Sequence, residues 1–133
     1  MPGRQNQAYD IGNYYVGFLT INQSASGTLV TPDQLNPTGS GMNLAVDITV
    51  ITTATVTVTV QGKDELSGKY YTLLATTALA AVATTAIQIF PGAVVTANVS
   101  ANAMLPNTYR IQAVLGGAAT QVNATIGGSI GIM

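Results

Sequence analysis

The sequence predicts an all-β fold: a single antiparallel β-sandwich or jelly-roll-like barrel of about seven to nine strands, with an extended N-terminal arm over residues 1–13 and the sandwich domain over residues 14–133. Three observations lead there. Short segments in which apolar and polar residues alternate recur along the chain, the pattern of a strand with one buried face. Clusters of Gly, Pro, Asn and Ser punctuate them at short intervals. The stretch richest in helix formers, residues 75–86, lacks both the caps and the charges that a helix of that length would use.

Each element follows from its residues. Residues 1–13 are polar and read as an arm without a packed face. Residues 14–21, YYVGFLTI, suit a first strand, and residues 22–27 form a turn cluster. Thr28, Leu29 and Val30 suit a short strand. Residues 31–41 read as a long loop, because Pro32 and Pro37 exclude a central strand. Residues 42–51 alternate, with Leu44, Val46, Ile48 and Val50 on one face, and Thr52-Thr53 is a weak break. Residues 54–74 then give the clearest signal: Val56, Val58 and Val60 against Thr55, Thr57 and Thr59, a polar loop bracketed by Gly62 and Gly68, and a return through Tyr70, Tyr71, Leu73 and Leu74. This is a β-hairpin, and the strand before it is expected beside it in the core.

Residues 75–86 read as a short strand and a connection, with a helical turn as the alternative. Ile87 and Ile89 mark a strand closed by Phe90-Pro91-Gly92. Residues 93–104 are small and mixed, a surface segment or an edge strand, and Leu105-Pro106-Asn107 is a turn. In residues 108–115 Tyr109, Ile111, Ala113 and Leu115 share a face. Gly116-Gly117 suits a hairpin turn that needs positive φ. Val122, Ala124 and Ile126 alternate in a last strand that runs on to Ile130 and Ile132.

Composition narrows the function. Of 133 residues only 7% are charged, while 47% are hydrophobic; ordinary soluble proteins carry about 25% charge. No uncharged apolar run reaches the length of about 18 residues that a membrane-spanning helix needs, so no span is expected. A charge-poor surface of Val, Ala and Thr suits a protein packed against neighbours. The net charge is −1, and Arg4, Lys63, Lys69 and Arg110 are scattered, which gives no footprint for nucleic acid. Cysteine and histidine are absent. The first 13 residues lack the apolar core of a secretory signal, so synthesis in a cytoplasm is expected.

The residues offer little to catalysis. A nucleophile or a general acid–base pair needs a positioned titratable partner, and the carboxylates Asp10, Asp33, Asp47, Asp64 and Glu65 are mostly isolated. The Asp64-Glu65 doublet reads as a solvated turn, without the ligand count that a hard cation requires. Gly39-Ser40-Gly41 and Gly116-Gly117 lack the Lys and the helix start of a phosphate loop. Tyr70 and Tyr71 face opposite sides of their strand and form no shared platform. We therefore expect no enzyme activity, cofactor, metal or small-molecule substrate.

Several blocks in order carry a resemblance: Gln61 to Asp64 (QGKD), Ser67 to Tyr71 (SGKYY), Phe90 to Gly92 (FPG) and Leu105 to Ile111 (LPNTYRI). Over roughly residues 42–130 the chain resembles small structural proteins encoded in tailed-bacteriophage virion gene clusters, of the capsid decoration (cement) type. The family commonly has Tyr where this chain has Phe90, and the first 40 residues lie outside the resemblance. The resemblance implies a virion structural protein that binds the outer surface of the major capsid lattice and stabilises it. The implied partners are the major capsid protein and further copies of the chain, with a homotrimer expected, and neither nucleic acid nor membrane. The implied location is the capsid surface, after synthesis in the host cytoplasm. A tail tube or minor tail protein is the first alternative. A carbohydrate-binding module of a receptor-binding protein is the second, motivated by Tyr14, Tyr15, Tyr70 and Tyr71. Candidate subunit-contact residues are Arg4, Tyr14 and Tyr15 near the N-terminus and Lys63, Asp64, Glu65 and Lys69 on the hairpin loop.

Overall fold

The structure is a computed structural model and describes residues 14–36 and 39–131. Among these residues the protein is all-β. Eight strands follow one another: β1 (Tyr14–Gln23), β2 (Gly27–Val30), β3 (Gln34–Leu35), β4 (Gly41–Lys63), β5 (Tyr70–Ala75), β6 (Ala83–Phe90), β7 (Ser100–Asn102) and β8 (Thr108–Gly131). The expected N-terminal arm, and Arg4 with it, lie outside the described residues.

Two strands dominate. β4 and β8 have 23 and 24 residues and pair antiparallel along nearly their whole length, from Gly41↔Gly131 to Gly62↔Tyr109. The first half of β4 also pairs with β6, through Met42↔Ile89 to Ile48↔Ala83, and its last part with β5, through Thr59↔Ala75 to Lys63↔Tyr70. The second half of β8 pairs with β1, and its first half with β2 and β3. One layer is therefore β1–β8–β4–β6–β7 and the other β2/β3–β8–β4–β5, with β4 and β8 running through both. The strand pairs are antiparallel except β6–β7, which is parallel.

The inner faces of the layers meet in one apolar core. Leu44, Val46, Ile48, Ile87, Ile89, Val122, Ala124 and Ile126 come from the first layer, and Val56, Val58, Val60, Tyr109, Ile111 and Leu115 from the second. The two layers touch directly where Phe18 of β1 meets Tyr109 of β8 edge-on, ring centroids 6.1 Å apart. Val56, Val58 and Val60 are fully buried, each contributing roughly 1.5–3 kcal/mol relative to exposure. Their burial, with Thr55 and Thr57 turned away from the core, is the face assignment that the alternation predicts.

Two expectations are corrected. Residues 42–51 and 54–63 are not neighbouring strands but successive halves of β4, and Gly116-Gly117 is not a hairpin turn. Both sites form a corner inside continuous strands. Opposite each other, Thr53 (φ 49°) and Gly117 (φ +77°) adopt left-handed backbone. Between Thr52↔Gln121 and Ala54↔Gly117 the register takes two steps on β4 against four on β8. The extra backbone turns the ladder from one layer into the other. The residues of β8 that face inward differ on its two sides: Tyr109, Ile111, Ala113 and Leu115 before the corner, Val122, Ala124 and Ile126 after it. The net slip there is two residues, an even step. The odd step lies between Ile48 and Val50, where β4 advances two residues against one on β8, and Val50, expected on the face of Leu44, Val46 and Ile48, turns outward. Glycine at 117 is required twice over, by its φ and because a β-carbon there would stand 3.0 Å from the Thr53 carbonyl oxygen.

Residues 31–41, read as a loop, contain the two-residue strand β3. Residues 76–82 connect β5 to β6 with a single bridge, Leu79 to Val56, and residues 93–104 contain the edge strand β7.

Replacing Gly117 with Val should lower stability by on the order of 1–3 kcal/mol through left-handed strain, seen as a lower midpoint in urea or thermal unfolding. Gly27→Ala, at a glycine with open space around its missing side chain, should shift the midpoint by less than about 0.5 kcal/mol. Equal effects of the two substitutions would show that the corner is not what Gly117 serves.

Candidate functional site

The hairpin end gathers six of the seven described charged residues: Asp33, Lys63, Asp64, Glu65, Lys69 and Arg110, with Asp47 elsewhere. Alternation places Gln61 and Lys63 on the outer face of β4, opposite Val60 and Gly62, and the same register turns Arg110 outward beside Gln61 and Tyr70 outward beside Lys63. Asp33 reaches this face from the segment between β2 and β3.

These side chains form a belt across the layer. Lys63 Nζ donates to Asp33 Oδ2 at 2.9 Å. The Tyr70 hydroxyl donates to Asp33 Oδ1 at 2.5 Å. Arg110 lies over the Tyr70 ring, its guanidinium carbon 3.5 Å from the centroid, and Lys63 Nζ is 5.7 Å from the same centroid. Arg110 Nε donates to Gln61 Oε1 at 2.7 Å. Both oxygens of Asp33 and the face of Tyr70 are thus engaged by cations and donors, and the belt ties the β2–β3 segment to the hairpin over 30 or more residues of sequence. Hydrogen bonds from Tyr70 first, and then from Lys63, hold the Asp33 carboxyl below its ordinary value. The hydrogen bond to Asp33 raises Lys63 above its own.

The loop tip is ordered by its own bonds. Asp64 Oδ1 accepts from Leu66 N at 3.2 Å and Asp64 Oδ2 from the Ser67 hydroxyl at 2.8 Å. Gly68 N donates to Asp64 O at 2.7 Å and Asp64 N to Lys69 O at 2.8 Å. Glu65 Oε2 accepts from Asn107 Nδ2 at 3.0 Å, which fastens the tip to the turn before β8. The bond from Ser67 holds the Asp64 carboxyl below its ordinary value. Leu66 projects from this loop, almost fully exposed.

The N-terminal candidates sit on the other layer. Tyr14 packs against the core with its hydroxyl buried and without a hydrogen-bond partner among the described residues. Tyr15 is 72% exposed and lies on Gly127, where a β-carbon would collide with its ring. Beneath them Tyr109 is buried, and burial together with Tyr14 pushes its phenol up to about 12. The structure therefore brings Lys63, Asp64, Glu65 and Lys69 together at one end and separates them from Tyr14 and Tyr15. Tyr70 is engaged in the belt, while Tyr71 turns to the opposite face over Gly62, so the four tyrosines form no common platform. Among the described residues no three metal-ligating side chains gather.

Sequence reasoning did not single out Asp33, Gln61, Arg110, Asn107 or Asn36 as site residues. Asn36 is buried and fastens a second junction. It accepts from Gly39 N at 2.8 Å and donates to the Leu105 carbonyl at 3.1 Å. The available signal was charge: Arg110 is a lone cation within an alternating strand, and Asp33 a lone carboxylate in a Pro-rich loop.

No protein-family model matches the sequence, and no curated protein does. Among solved structures, a chain in the structure of infectious bursal disease virus, Gx strain, is similar over 90% of this chain at 12% identity, with a TM-score of 0.47. The present chain spans 32% of that chain's length.

The belt makes stability pH-dependent at both extremes. The lowered Asp33 value means that its contribution is complete above its unfolded value near 3.8 and is lost as pH falls through the lower folded value. The raised Lys63 value means that its contribution is complete below its unfolded value near 10.5 and is lost as pH rises through the higher folded value. Asp33→Asn should lower the thermal midpoint near neutral pH and lose its effect in strong acid. A midpoint difference from wild type that is the same at both pH values would dismiss the ion pair as the source.

Proposed function

We propose that the chain is a virion structural protein, a capsid decoration protein that binds the outer surface of a tailed-phage major capsid lattice. The observation that carries the reading is the convergence of three of the four resemblance blocks. Gln61 and Lys63 from QGKD and Tyr70 from SGKYY, on the two arms of one hairpin, meet Asn107 and Arg110 of LPNTYRI, much further along the chain, in the belt and tip. These residues belong to one built unit of the fold, which supports reading the blocks together.

The physical character of the surface agrees. Outside the belt and tip, Asp47 is the one described charge, and its carboxylate accepts a hydrogen bond from Thr84. Val94, Val95, Val99 and Met104 are exposed within one short segment beside β7, an apolar surface of the kind that marks protein contacts. A lattice of identical sites multiplies weak contacts of this type, because each bound copy needs little affinity of its own where neighbours act together. The described geometry uses its charged groups to tie segments of the chain to each other, which suits a rigid structural part and offers no arrangement for acid–base chemistry.

Antibody raised against the chain, applied to phage particles that carry its gene and viewed by electron microscopy, should decorate the capsid shell. Label confined to the tail would move the protein to a tail component, and particles without label would end the virion reading.

A further inference from the structure

We draw no further inference here: the strongest candidate, the exposed apolar surface patch beside β7 that carries Val94, Val95, Val99 and Met104, carries nothing beyond the proposed function because nothing in the structure shows what covers it.

Discussion

The corner at Thr53 and Gly117 is the constraint on which the architecture rests. Each layer of the sandwich borrows half of β4 and half of β8, so neither layer is complete unless both long strands turn at the same level. Left-handed backbone at Thr53 and Gly117, facing each other across the ladder, makes that turn without breaking the chain into separate hairpins. Past the turn, Val122, Ala124 and Ile126 enter the same core as Leu115 and Ile111. A β-branched residue that could not adopt the left-handed region at 117 would have to straighten β8 there and expose one of its two apolar sets. The strain carried by Thr53, a β-branched residue at positive φ, is held in place by the core on either side of it.

The belt at the hairpin end does for the outer face what the corner does for the backbone. Asp33 and Asn36 lie in a segment with little regular pairing, and two sets of side-chain bonds compensate for this. Asp33 holds the segment to Lys63 and Tyr70 of the hairpin, and Asn36 holds it to the carbonyl of Leu105 before β8. Among the described residues Asp33, Lys63, Glu65 and Arg110 join segments of one molecule. The outer face of the other layer is left small, polar and nearly uncharged, a surface that neither repels nor selects neighbours by charge. The exposed Val and Met residues near β7 are then a place where contact with other chains gains most.

Much of the site was invisible in the sequence for a definite reason. Hairpin chemistry is local: Gly62, Asp64, Ser67 and Gly68 lie within a few residues of the bonds they make, so the loop could be read directly. The belt is not local. Asp33 meets Lys63 and Tyr70 across 30 and 37 residues, and Gln61 meets Arg110 across 49, so nothing in the spacing announces the contacts. Tyr14 and Tyr15 are adjacent in sequence to residues expected in an arm, yet they belong to a strand of the opposite layer.

The sequence by itself determined the class of the fold and most of the inward faces; Val50, read with Leu44, Val46 and Ile48, is exposed because the register shifts after Ile48. Alternation selects the buried residues of a strand whatever that strand pairs with, because backbone geometry alone sets the period of two. It also held the parity change on β8 in plain view, from Tyr109, Ile111 and Leu115 to Val122, Ala124 and Ile126. Only the tertiary structure decided what that change meant. A Gly-Gly pair between two alternating runs suits a tight hairpin and a corner in one long strand equally well. The choice falls to the corner because β4 offers an unbroken partner to both halves of β8, and its ladder bonds are kept only if β8 continues past Gly117.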